Sequence, residues 1–343
     1  MTSSGLVGRL ALVTVLVALT GGCSSSSPKA APTTSSAACP TSVDASQLVD
    51  TSELRADNAF LADLGVRPTG SAAQQRYVKW IEKQLGTIDG VSITHHDFAI
   101  ERTVAESATL DVRTVDGWQS VPVAAGISQA QGTPADGTTA PLVNIPEDQP
   151  ITAELAQGRI VVRPAPPGEV PQSVFTLPLV TWSTFDPNHT IDPEEPFLGD
   201  FLNYNARVED LTAAHDAGAA GILFVKDLDD HQLADHLEPY EGVPSPTPGV
   251  WLGADAQQLL DDAFAADPQP QARLVLETTT QAVTTRSVFA TIPGASPARI
   301  VIDSHTDGTN VVEDNGPIAM VAMARYFAAL PTRCRPRTIE FAF

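Results

Sequence analysis

The densest run of chemistry-bearing residues in this 343-residue chain is Ile302-Asp303-Ser304-His305-Thr306-Asp307-Gly308, followed closely by Glu313-Asp314-Asn315-Gly316. His305 comes directly after an apolar strand-like run, where open α/β sheets present their ligand-binding groups. Asp307, two residues on, is placed to orient an imidazole or set its tautomer, the service a carboxylate gives a metal-binding histidine. Asp314 precedes a helical pattern and can supply a carboxylate to one metal or bridge two. A metal held there would acidify a bound water and polarise a carbonyl. The same residues also fit a plainer description: a strand-end histidine capped by its neighbour, then an Asp-Asn-Gly turn that starts a helix. Spacing alone leaves both open.

No other cluster competes. The acidic run Asp227-Leu228-Asp229-Asp230-His231-Gln232-Leu233-Ala234-Asp235-His236 lacks the glycine of a calcium loop and reads as a solvated loop. His95, His96 and His215 read as structural. The chain contains no H-E-x-x-H and no G-x-S-x-G, so neither a histidine-pair metal helix nor a serine elbow is indicated. With 20 basic against 41 acidic residues the net charge is −21, which disfavours nucleic acid as a partner. At 43% hydrophobic and 18% charged residues the chain can bury a core and is no disordered polyelectrolyte. Its length suits two folded units.

The elements that must position His305 are legible on both sides of it. Residues 50–85 read as helical, with Leu54, Phe60, Leu61 and Leu64 on one stripe. Arg67-Pro68-Thr69-Gly70-Ser71 breaks the pattern, and Tyr77, Trp80, Ile81 and Leu85 resume it, with Ser71 as N-cap. Residues 91–98 alternate as a strand. From about residue 102 to 280 the texture becomes β-rich, with short runs at 108–115, 120–124, 159–163 and 177–182. One clear helix, 207–217, feeds a strand at 221–225. After residue 285 an α/β rhythm returns: strands at 288–292 and 300–302, a helix at 318–330, and a strand at 338–343. The apolar runs flanking that helix predict buried parallel strands. An α/β domain split by an inserted module fits best.

The N-terminus reads as an address. Arg9 and the apolar run 10–19 form a signal peptide too short to span a bilayer as a helix. Thr20-Gly21-Gly22-Cys23 resembles a lipobox, with Cys23 as the acylated residue, and the Ser/Pro/Ala/Thr run behind it is a flexible tether. Export and a lipid anchor at the outer face of the cell membrane are expected. In that oxidising setting Cys39 and Cys334 can pair with each other, or either can pair elsewhere.

Four stretches then carry a family resemblance: Arg67-Pro68-Thr69-Gly70-Ser71; His215-Asp216-Ala217-Gly218 running into Ile222-Leu223-Phe224; Val243-Pro244 with Pro248-Gly249-Val250; and Thr285-Arg286-Ser287-Val288 leading to Ile300-Val301-Ile302 and His305-Thr306-Asp307. In this order they resemble the zinc-dependent aminopeptidase Y-like metallopeptidases that carry an inserted protease-associated domain, in a lipoprotein member. The resemblance implies an α/β, zinc-exopeptidase-like (phosphorylase/hydrolase-like) three-layer sheet, incomplete, interrupted by a β-rich protease-associated-like domain. It divides the chain into a signal peptide (1–22), a tether (23–42), a first peptidase-like segment (43–101), the inserted domain (102–280) and a second peptidase-like segment (281–343). It further implies two zinc ions, His305 as a ligand, Asp307 as the catalytic-site acid orienting it, Asp314 as the bridging carboxylate, and peptide substrates cleaved at their N-termini. The sequence departs from the pattern in the short gap after His305 and at Val311-Val312-Glu313, which leaves Glu313 or Asp314 as the ligand. The family's general-base glutamate and later ligands are expected beyond Phe343, in a chain truncated at its C-terminus. The rival expectation is a non-catalytic surface lipoprotein that docks peptides or envelope proteins on the inserted module.

Overall fold

A computed structural model describes residues 38–127, 129–176, 186, 188–199, 202–229, 233, 245–311 and 314–343. The expected signal peptide and most of the tether with Cys23, the run 177–182, Val243-Pro244, most of the acidic run after Asp229, and Glu313 lie outside these residues. Residues 41–343 form one compact unit, which carries every element below. Cys39 and Cys334 are each disulfide-bonded. Among the described residues no helix is long and apolar enough to cross a membrane.

Two N-terminal helices open the fold, α1 (Thr51–Asp63) and α2 (Ala72–Leu85). Each starts on a side-chain cap: the Asp50 carboxylate accepts from Ser52 N, and the Ser71 hydroxyl accepts from Gln74 N, as expected for Ser71. A long strand β1 (Ser92–Thr114) turns into β2 (Gly117–Val121), and β3 (Ala125–Gly126) follows. Then come β4 (Thr138–Asn144), a short α3 (Ala153–Ala156), β5 (Ile160–Pro164), the small hairpin β6 (Gly168–Pro171) and β7 (Pro196–Gly199), α4 (Tyr204–Asp216), β8 (Gly221–Val225), β9 (Gly249–Leu252) and α5 (Ala254–Ala266). The chain returns through β10 (Gln271–Ile292) to β11 (Arg299–Asp303), α6 (Gly316–Ala329) and β12 (Thr338–Ala342).

The main sheet has ten strands, running β11-β12-β10-β4-β5-β8-β9-β3, with β1 along β10 and β2 beside β1. β1 and β10 pair antiparallel from Ser92 opposite Thr291 to Val112 opposite Ala272, with a register shift between Ala105 and Ser107. The far edge of β10 is divided. Its first residues pair with β4 and its last with β12. This ribbon therefore joins two separate cores. One gathers Leu110, Leu142, Ile160, Phe224, Trp251 and Leu274; the other gathers Leu61, Tyr77, Ile81, Val288, Ile318 and Phe341. In the second, α2 and α6 pack against each other and both against β10.

Three expectations need correcting. The change of texture near residues 102 and 280 falls inside β1 and β10, because the Thr-rich, alternating ribbon is polar without ceasing to be strand. The region between is not simply β-rich. Strands β4, β5, β8 and β9 are mutually parallel, and α3, α4 and α5 accompany them. The α5 segment is built from good helix formers that the surrounding prolines and glycines obscured. Finally, β11 and β12 are parallel as expected, but β11 ends the sheet, so Ile300 and Val301 are 46% and 55% exposed rather than buried.

Candidate active site

Strand β11 delivers His305 to the surface. Ser304 N is still tied to the β12 end, donating to Ala342 O at 3.1 Å, and His305 follows with half its side chain exposed. His305 Nδ1 lies 2.7 Å from the main-chain oxygen of Asp307. A carbonyl only accepts, so Nδ1 carries a proton, and in that tautomer of the neutral ring the lone pair sits on Nε2. Nε2 faces Asp314 Oδ1 at 4.0 Å, and Asp314 is fully buried. That gap is too wide for a hydrogen bond.

What holds Asp314 in place comes from the far end of the sequence. Arg67 and Gly308 form an antiparallel backbone bridge, Arg67 N to Gly308 O at 2.8 Å and Gly308 N to Arg67 O at 3.1 Å. The buried Arg67 guanidinium then reaches Asp314 Oδ2 through Nη2 at 2.5 Å. It also donates to the carbonyls of Gly65, Leu61 and Asn310 and stacks 5.8 Å from the centre of the Tyr77 ring. Asn310 N donates to the same Oδ2 at 3.1 Å, and the Tyr77 hydroxyl donates to the Asp314 carbonyl at 3.4 Å. Burial pushes the Tyr77 phenol above its ordinary range, against the pull of the Arg67 charge. Gly308 has φ +147°, and a Cβ there would fall 2.0 Å from Asp314 Oδ2, so only glycine fits.

The rest of the 67–71 segment fastens the His305 loop at two further points. Thr69 Oγ1 donates to Asp307 Oδ2. The buried Gln74 accepts from Gly70 N at 2.6 Å and from Thr285 Oγ1 at 3.1 Å while its amide donates to Thr306 Oγ1 at 3.1 Å.

Of the residues singled out in the sequence, His305 and Asp314 therefore face one another. Asp307 reaches the imidazole twice, its main-chain oxygen lying 2.7 Å and its carboxylate Oδ1 3.4 Å from Nδ1, while Oδ2 accepts from Thr69. Cys23 and Glu313 lie outside the described residues. His95 pairs with Glu82 at 3.0 Å, a structural role as read from the sequence. Sequence reasoning missed Arg67, Thr69 and Gln74 as the residues that hold the site. The helix break at 67–71 marked the place, but nothing in linear spacing links it to residue 314.

A catalytic zinc takes three protein ligands and keeps one position for water. Among the described residues no three His, Cys, Asp or Glu side chains gather for a metal. His305 Nε2 and Asp314 Oδ1 are two facing donors, one nitrogen and one oxygen, and do not complete such a set. A bridging carboxylate also needs both oxygens, and Oδ2 is occupied by Arg67 and the Asn310 amide.

The chain matches no known protein-family profile and no curated protein sequence. It does superpose on solved structures. An aminopeptidase from Aneurinibacillus sp. strain AM-1 gives a TM-score of 0.53 at 16% identity, covering 85% of this chain and 62% of that one. A zinc aminopeptidase from Bacillus subtilis gives 0.54 at 17%, covering 85% and 60%. A peptidase M28 precursor from Shewanella amazonensis SB2B gives 0.55 at 19%, covering 85% and 62%. The chain shares the fold of these structures. This chain spans about three-fifths of the length of those structures.

Proposed function

We propose that this chain is a peptidase-like hydrolase that removes residues from the N-termini of peptides, with zinc as its metal. The observation that carries this is the approach of His305 and Asp314 at the end of β11. The His305 Nε2 lone pair and the Asp314 carboxylate face each other across 4.0 Å, a nitrogen–oxygen pair of the type zinc takes. With a further protein ligand beside these two, zinc here would supply an acidified water and a polarised carbonyl. The chain's own residues hold the pair ready: the Asp307 carbonyl fixes the tautomer of His305, and Arg67 fixes Asp314. The aminopeptidase fold supports peptides as the substrate class. We further place the protein outside the cell, anchored through an acylated Cys23. Loss of palmitate-analogue labelling in Cys23→Ala tests that anchor.

The test of activity is zinc content and aminoacyl-nitroanilide turnover, before and after His305→Ala. We expect turnover to fall at least ~100-fold with the fold intact. Unchanged turnover would remove His305 from the chemistry.

A second reading has its own observation. A cavity of about 840 Å³ opens at the C-terminal ends of β5 and β8, lined by Pro164, Pro166, Pro167, Leu198, Lys226 and Asp227, the end of a parallel sheet where ligands bind. Under this reading the protein docks a peptide there and catalyses nothing. Peptide binding that is lost in Leu198→Asp, with no turnover in the wild type, would favour it.

A further inference from the structure

The environment of Asp314 is already that of a carboxylate beside a cation. Arg67 is fully buried, and its guanidinium is fixed by the carbonyls of Leu61, Gly65 and Asn310 as well as by Asp314. Its main chain is bridged to Gly308, and the Tyr77 ring lies alongside. It cannot swing away without leaving several buried polar groups unpaired, which is costly. A metal taking Oδ2 would have to displace both Arg67 Nη2 and the Asn310 amide. It would also place its own charge against a guanidinium with no route to water.

We infer that Arg67 is the resident cation of this site, holding the Asp314 oxygen that a second metal ion would need, so that the centre holds at most one metal. The inference rests on the reading of His305 and Asp314 as a metal-facing pair, and it replaces the bridging role expected for Asp314. Arg67 then has two effects on the site. Its charge lowers the demand of the buried carboxylate for metal, and its geometry turns the other edge of that carboxylate toward the imidazole. It is a positioning residue, acting through Asp314.

The probe is zinc alone. The protein is stripped with chelator, saturated with zinc and counted by native mass spectrometry and elemental analysis. The wild type should hold no more than one ion per chain. Arg67→Gln, which keeps the side chain polar but removes its charge, should hold one more than the wild type, and Arg67→Lys should keep the wild-type count. Two ions in the wild type, or an Arg67→Gln count equal to or below it, overturns the inference. Equal counts above zero sink only the resident cation. Zero in both sinks the metal-facing reading as well. Because Arg67→Gln can fail to fold, hydrogen exchange on the wild type gives a second readout. The amides of Arg67 and Gly308 should stay equally protected as zinc is added. Loss of their protection on zinc binding would mean that metal expels the guanidinium, and the inference fails.

Discussion

In the parallel-sheet core Arg163 grips Asp210 as a fork, Nε to Oδ2 at 3.0 Å and Nη2 to Oδ1 at 2.7 Å. In the core beneath His305, Arg67 meets Asp314 end-on, with Nη2 on Oδ2. Both pairs are buried, and both arginines also donate to loop carbonyls. The fork uses the carboxylate completely, and Arg207 adds a second charge 3.7 Å away. It joins β5, α4 and the 145–149 loop and asks nothing further of its acid. The end-on pair is lopsided. One oxygen is neutralised and the other edge is turned toward an imidazole. The same two residue types thus make a staple in one region and a poised acid in the other, and the number of oxygens the guanidinium takes distinguishes them.

That contrast can be broken most forcefully in the staple. Asp210→Ala strands two buried guanidinia, so it should cost about 3–5 kcal/mol, measured by urea denaturation, and should leave zinc content unchanged. A loss of zinc on this substitution would erase the distinction between the two pairs. Gly308→Ala comes next. It combines a disfavoured φ with overlap on the Asp314 carboxylate, and should cost about 2–4 kcal/mol together with a loss of zinc. Equal stability to the wild type would show that the Arg67–Gly308 bridge is looser than described.

His305→Ala sharpens the contrast from the other side. The ring is half exposed, so stability should move by no more than about 0.5 kcal/mol while turnover collapses. The smallest effect concerns pH. Burial, opposed by the Arg67 charge, raises the folded Tyr77 phenol above the ordinary value of 10.0. The unfolded chain then releases this proton before the folded one does. The contribution is therefore constant below pH ~10 and stability declines as pH climbs past it. Tyr77→Phe should flatten that decline at a cost of roughly 0.5–1 kcal/mol near neutral pH. An unchanged alkaline slope would point to another group.

What could be read in the sequence was local. Ser71 as a cap, α2, β8, α6 and β12 each announce themselves by spacing within a dozen residues. The ribbon of β1 and β10 was read as strand at 91–98, 108–115 and 288–292 but not as one continuous pair, because its middle is solvated on its faces and carries threonines where a core strand would carry valines. The exposure of β11 was hidden for a different reason. Ile300-Val301-Ile302 has the composition of an interior strand, and composition does not say which strand ends a sheet. At the site, His305 and Asp314 were legible by type and Asp307 by neighbourhood. That the Asp307 carbonyl also reaches the ring was not, since any residue has one. Arg67 stood out within a helix break and in a stretch that carries the family resemblance, but without a legible partner. Its partner is 247 positions away, a distance across which a single sequence holds no physical signal.

That distance has a consequence for how the molecule comes to be. Arg163 finds Asp210 after 47 residues, a loop that closes early as the chain emerges. Arg67 is synthesised before either, yet its own acid follows only 247 residues later, and the entropy of closing so long a loop must be met before the contact can reward it. The parallel sheet can therefore gather first and bring the two ends of the ribbon into range. Until then an arginine destined for burial stays in water, and the 67–71 segment has no loop to fasten. A chain ended before residue 314 should hold one formed core and an unmade site.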